Sequence, residues 1–300
     1  MIKTPNIYLI GLGGIGGAYA SMAKDQGFDF KIICNEARAK RYSQDGFVIN
    51  NKSYQFEYFT EPKEQVDLIL IAVKANQLLE AVKEIKPYVT DQTIIISLLN
   101  GISSERIIEE HIKTGNILHG FTVKTDGQRK KNIIHFTPGG KIVFGPSNPQ
   151  EIEVALRAEN ILQFAGVPFE KVDNIIHKQW WKMMTNVGIN QTQGLLRVTY
   201  AAFEKEPAKN IAILAMKEVL KIANQLNISL SQKDMDDILK MVNNFTPQNK
   251  TSMLQDLEAR RLTEVDIFAG EVMRLGKQLG IETALLHKKR RQTYGNIYNN

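Results

Sequence analysis

The chain has 300 residues, 43% apolar and 23% charged, with a net charge of +6 and a single cysteine, and nowhere does it approach the roughly 18 consecutive apolar residues of a membrane span. These values argue against a membrane protein, an internally disulfide-bonded secreted module and a disordered chain, and they lead us to expect two domains in the cytoplasm. The positive balance raises nucleic acid as a partner. However, the basic residues are mostly interleaved with acidic ones, and no zinc-ligand spacing or RNA-binding aromatic signature accompanies them; the denser groups at 38–41, 129–131 and 287–291 read as solvated surface or as attraction for small anions.

In chain order, residues 6–10 read as a short buried strand, 14–26 as a helix and 30–34 as a second strand. The run 67–73 (DLILIAV) is apolar and rich in β-branched residues, as in a strand covered on both faces. Residues 76–89 have helical periodicity, 93–98 form another buried strand, and 133–144 suggest a hairpin turning at Thr137-Pro138-Gly139-Gly140. A helix over 151–164 precedes the break at Gly166-Val167-Pro168. Strands alternating with helices indicate a doubly wound parallel sheet, so 1–170 is expected to be a Rossmann-like α/β domain. From Val172 onward no strand run is visible; 175–190, 208–227, 231–243 and 264–280 read as helices, so 171–300 is expected to be all-α, with 296–300 frayed.

Between the first strand and the first helix stands Gly11-Leu12-Gly13-Gly14-Ile15-Gly16, a G-x-G-x-x-G pattern. A secretion signal competes for this stretch, because Ala18-Tyr19-Ala20 resembles a cleavage site, and a merely structural turn is the plain alternative. The strand–turn–helix setting favours a dinucleotide seat: one glycine allows the tight turn, one lets a diphosphate approach the backbone, one lets helix and strand pack closely, and the helix start offers free N–H groups. At the end of the second strand an NAD site usually carries an acid. Here Asn35 follows Cys34, with Arg38, Lys40 and Arg41 just beyond, which favours NADP. Glu36 would serve as the ribose acid if the turn is shifted by one, and 38–41 read otherwise as an exposed helix face. Lys74 and Asn100 end two further strands and point to the same crevice, unless both are simply polar strand termini.

In the second half Lys182, Asn186 and Asn190 are spaced by four, on one drifting face of a helix, among Trp180, Trp181, Met183, Met184, Val187 and Ile189. Buried polar groups need partners, and a ligand with a carboxylate, a carbonyl and a hydroxyl would supply them; a solvent-facing stripe is the alternative. Thr263 with Asp266 looks like an imperfect capping box that places Glu264 in a first helical turn. The histidines are scattered, and no His/Cys/acid group has metal-ligand spacing.

Together these segments resemble the ketopantoate reductases over nearly the whole chain: Gly11 to Gly16, Val73-Lys74-Ala75, Asn100-Gly101, Trp181-Lys182 with Asn186 and Asn190, and Ser252-Met-Leu-Gln-Asp256 followed by Thr263-Glu-Val-Asp266. The resemblance implies NADPH on the N-terminal domain, hydride transfer to the ketone of ketopantoate in pantothenate synthesis, and Lys182 protonating the alkoxide. It implies further that Glu264 pairs with Lys182 and binds the substrate's terminal hydroxyl, that Asn186, Asn190 and Ser252 grip hydroxyl and carboxylate, and that Lys74 and Asn100 line the junction of cofactor and substrate. The family also holds D-2-hydroxy acid dehydrogenases for other branched 2-keto acids. A regulatory protein that senses the dinucleotide without chemistry is the reading from another class. The expected partner is a small 2-keto acid, with neither nucleic acid nor membrane, and the chain is expected to be a monomer or homodimer.

Overall fold

The computed structural model describes residues 4–283 together with 285 and 286; the basic group 287–291 and the terminal 296–300 lie outside the described residues. The chain divides into two compact units, 1–100 with 104–175, and 101–103 with 176–300.

The first unit contains, in order, β1 (Ile7–Ile10), α1 (Gly14–Asp25), β2 (Lys31–Ile33), α2 (Glu36–Asp45), β3 (Phe47–Ile49), β4 (Lys52–Tyr54), β5 (Glu57–Phe59), β6 (Leu68–Ile71), α3 (Leu78–Ile85), β7 (Ile94–Ser97) and α4 (Ser104–His111). It continues with β8 (Asn116–Val123), β9 (Gly127–Lys130), β10 (Ile133–Phe136), β11 (Lys141–Gly145), α5 (Ile152–Phe164) and β12 (Phe169–Lys171). Eight strands form one sheet in the order β12-β11-β8-β7-β6-β1-β2-β5. It is parallel from β5 to β8, and β11 runs antiparallel to β8. The expected doubly wound sheet is therefore present. β1 and β6 run in step, Ile7 beside Leu68 and Ile10 beside Ile71, and all four residues of each are buried. Both faces are covered, which is why these strands read as unbroken apolar runs; each Leu or Ile so removed from water contributes about 1.5–3 kcal/mol.

The expected hairpin over 133–144 is not formed. β10 belongs to a separate four-stranded sheet, order β4-β3-β10-β9, whereas β11 joins the large sheet against β8. Thr137-Pro138-Gly139-Gly140 is thus a crossing between sheets, and it is fixed by Thr137, whose N–H and Oγ1 donate to the Asp126 carboxylate at 2.9 and 3.0 Å. The true hairpins turn at Asn50-Asn51, where φ is +45° and +67°, and at Lys131-Asn132, with φ +56° at Lys131. Two residues with positive φ suit a tight primed turn, and asparagine tolerates them.

The second unit is helical: α6 (Ile175–Thr185), a π-helical segment Asn186–Asn190, α7 (Gln191–Leu196), α8 (Ala208–Gln225), α9 (Gln232–Asn243), α10 (Ser252–Glu258), a second π-helical segment Asp266–Gly270, and α11 (Glu271–Leu279). α8 runs through its core, burying Ala208, Ala212, Ala215, Met216, Val219, Ile222 and Ala223, a period of three to four that fits one helix face. Small residues on that face let the π-helical segment at 186–190 lie directly on α8, where a side chain at Gly188 would overlap Met216. Among the described residues no helix is long and apolar enough to cross a membrane.

Candidate active site

The strand order reverses between β1 and β6, and in such sheets ligands bind beyond the carboxyl ends of the strands at that point. The glycine turn leaves β1 there. Gly11 has φ +100°, and a Cβ on it would stand 2.6 Å from the Ala72 carbonyl oxygen, so the turn is pressed against the end of β6 and requires glycine. A Cβ on Gly16 would overlap the Gly11 carbonyl, which keeps α1 tight on β1. Around Gly13, by contrast, the nearest such contact is 3.9 Å away, and Gly13 caps α1 with no side-chain hydrogen bond. The first amides of α1 are thus left to a ligand, and the open backbone at Gly13 fits a diphosphate. Leu12 is buried, and Ile15 packs against the core from a partly buried position.

The remaining cofactor candidates sit at neighbouring strand ends. Asn35 caps α2, its Oδ1 accepting the Arg38 backbone N–H at 2.9 Å, so only its amide nitrogen is left to donate outward. The Arg38 guanidinium, expected to face a ribose phosphate, lies 3.7 Å from Glu84 and 3.9 Å from Glu80 on α3. Burial raises the Glu84 carboxyl above the usual range, with Arg38 opposing. Lys74 is exposed just past β6, and Asn100 is partly buried just past β7. Burial also pushes the Cys34 thiol to about 11, which makes it a packing residue rather than a nucleophile.

In the helical unit a widened coil follows the lysine and brings the two asparagines together. Lys182 is on α6, and the coil then widens over Asn186–Asn190. The i→i+5 winding turns less per residue, so residues four apart stay stacked instead of drifting. Asn190 Nδ2 accordingly donates to Asn186 Oδ1 at 2.8 Å. This segment packs on α10 and on the second π-helical segment, which follows Glu264. Lys182 and Glu264 interact electrostatically: burial pulls the lysine down to about 8, and the Glu264 carboxylate opposes the fall. The site therefore holds an ammonium that is charged at neutral pH and gives up its proton readily. Ser252 is exposed as the first residue of α10. The capping box is not formed: Thr263 Oγ1 is buried with no hydrogen-bond partner, and Glu264 precedes the helix, its carbonyl accepting the Phe268 N–H at 3.3 Å.

Sequence reasoning missed a buried amide layer beside these residues. Gln193 Oε1 accepts the Thr251 backbone N–H at 2.7 Å, which ties α7 to the start of α10 and so locates Ser252. Both side-chain atoms of Gln191, Gln193 Nε2 and Thr251 Oγ1 are buried without partners. Gln191 follows Asn190 directly in the chain, and Thr251 directly precedes Ser252. The signal available was two glutamines, Gln191 and Gln193, directly after Asn190 in an apolar helix.

The model of "Ketopantoate reductase PanE/ApbA" matches residues 7–149, and that of its C-terminal domain matches 174–288. A 2-dehydropantoate 2-reductase of Streptococcus pyogenes serotype M3 is 25% identical over 285 residues, covering 92% of this chain and 93% of that one. The crystal structure of a putative 2-dehydropantoate 2-reductase from Enterococcus faecalis is 26% identical with a TM-score of 0.76, covering 97% and 98%. A ternary structure of D-mandelate dehydrogenase with NADH and anilino(oxo)acetate shares the fold, with a TM-score of 0.85 at 24% identity over 98% and 99%.

Proposed function

The chain belongs to the ketopantoate reductase family, and on that premise we propose that it reduces 2-dehydropantoate to D-pantoate, a step of pantothenate and coenzyme A synthesis, with NADPH as cofactor. The observation that carries this reading is the Lys182–Glu264 pair, set beside the bonded Asn186 and Asn190 in a chain that also carries an open glycine turn.

A bound reduced nicotinamide supplies the hydride to the ketone carbon. As the carbonyl oxygen becomes an alkoxide, the Lys182 ammonium donates a proton to it, and water restores the ammonium. Glu264 keeps the lysine protonated until then and accepts the substrate's terminal hydroxyl. Asn186, Asn190 and Ser252 hold the remaining hydroxyl and carboxylate oxygens. Gly11 to Gly16 seat the diphosphate, Asn35 and Arg38 the phosphorylated ribose, and Lys74 and Asn100 the nicotinamide end of the cofactor.

A second reading is a D-2-hydroxy acid dehydrogenase for bulkier 2-keto acids. It is supported by the shared fold with D-mandelate dehydrogenase and by Glu80 and Glu84, which partly neutralise Arg38 and so favour NADH. The proton-donating pair disfavours a purely sensing protein, which has no use for it. Oxidation of NADPH and of NADH should be followed with ketopantoate, 2-ketoisovalerate and phenylglyoxylate. NADPH consumption with ketopantoate, at the highest kcat/KM of the panel, is the expected result. Preference for phenylglyoxylate or 2-ketoisovalerate establishes the second reading, and no turnover with any of them overturns both.

A further inference from the structure

The accessory sheet is not idle packing. Its β9 abuts the glycine turn so closely that a side chain on Gly14 would overlap the Gly127 backbone, and Ile134 of β10 lies where a side chain on Gly17 would project. From β9, Arg129 reaches back to the turn: Nη1 donates to the Leu12 carbonyl at 2.6 Å and to the Tyr42 hydroxyl of α2 at 3.3 Å, and Nε donates to the Lys131 carbonyl at 2.5 Å. The guanidinium rests on two rings, 4.9 Å from the centre of Phe47 and 5.1 Å from that of Tyr42. Among the described residues no carboxylate pairs with it, and Nη2 has no acceptor.

We propose that Arg129 is a second cation of the dinucleotide site, one that both fixes the glycine turn and binds a phosphate of the adenosine half. The proposal rests on reading that turn as a dinucleotide seat. The geometry favours Arg129 over a merely structural bond for three reasons. A carbonyl acceptor needs only one neutral donor, and here a full charge is spent on it. The stacked rings hold the guanidinium plane rigid, so the free Nη2 is presented to an anion in a fixed orientation. The two groups it touches, Leu12 and Tyr42, belong to the diphosphate turn and to the helix that follows the ribose position, so the guanidinium stands beside the adenosine half of the seat with Nη2 left to donate to a phosphate. By contrast Arg38, the cation legible in the sequence, already has two carboxylates beside it.

The test is dinucleotide affinity, read by the fluorescence of bound NADH and NADPH without any keto acid, in wild type, Arg129→Gln and Arg129→Lys. Glutamine keeps a donor for Leu12 and removes the charge. The expected result is roughly tenfold weaker binding for Arg129→Gln, about 1.4 kcal/mol, a shallower salt dependence, and recovery of most of the affinity in Arg129→Lys. Loss for both cofactors assigns the diphosphate; loss for NADPH alone assigns the 2′-phosphate. Unchanged affinity and salt dependence in a folded Arg129→Gln overturns the proposal and leaves the dinucleotide reading standing. A wild type that binds neither cofactor overturns both. If the glutamine variant does not fold, the Arg129 guanidinium nitrogen resonances of the wild type, identified with Arg129→Lys, are followed on adding NADH and NADPH. Shifts with either support the proposal, and no shift with bound cofactor overturns it.

Discussion

In the proposed reaction Lys182 is the proton donor, and its protonation then sets a pH dependence. Two effects oppose each other: burial disfavours the ammonium and Glu264 favours it, and burial wins, bringing the group to about 8. Reduction needs the ammonium, so kcat is expected to fall about tenfold per unit as pH rises above about 8, and oxidation of the hydroxy acid, which needs the free amine, is expected to rise through the same range. Glu264→Gln removes the group that holds the proton on. The falling limb should then move to lower pH, and a pH–rate profile that stays in place would detach Glu264 from the lysine. Lys182→Ala should lower turnover by roughly 10²–10⁴-fold while NADPH still binds, measured by steady-state kinetics and fluorescence titration. Lys182, Asn186 and Asn190 are legible as candidates from their spacing of four. Gln193 is not singled out in the sequence and Arg129 only as one of a basic group read as surface or as attraction for small anions, because their partners Thr251 and Leu12 lie 58 and 117 residues away.

At the level of elements, π-helical winding keeps the two asparagines stacked, and no local pattern announces it. The widening over Asn186–Asn190 coincides with Gly188 lying against Met216 of α8, a partner distant in the chain. The contact between β9 and α1 is equally close. Gly14→Ala places a methyl group on the Gly127 backbone, which has no rotamer with which to yield. The expected cost is roughly 1–3 kcal/mol in denaturant unfolding, the usual range for overpacking, with weaker dinucleotide binding as the sheet is displaced from the turn. The hairpin expected over 133–144 failed for a related reason. Two β-rich runs joined by Pro-Gly-Gly look alike whether the strands pair with each other or with different sheets, and only the alternative partners, β3 and β9 for one and β8 for the other, decide between these.

At the scale of the molecule, the two units have separate apolar cores. Ile7, Leu9, Leu68 and Ile96 lie in the cores of the first, and Met216, Val219 and Ile238 in that of the second. Ile238→Ala should therefore destabilise the helical unit by roughly 2–5 kcal/mol, seen by calorimetry, while NADH or NADPH affinity well below the melting temperature stays within about twofold. A parallel loss of affinity in the folded variant would show that the seat depends on the helical core. The sequence by itself determined the doubly wound sheet, the helical second half, the glycine turn and the lysine–asparagine stripe. Each of these is written within about a dozen residues, as an apolar period, a glycine spacing or a repeat of four, and short-range sterics and burial suffice to dictate it. Only the tertiary structure decided that a second sheet braces the glycine turn, that Arg38 stands between two glutamates, that Thr263 leaves its helix uncapped, and that Gln193 locates the start of α10. Those features depend on which distant segments meet, and hydrogen bonds and charges at such meetings leave no periodic trace along the chain.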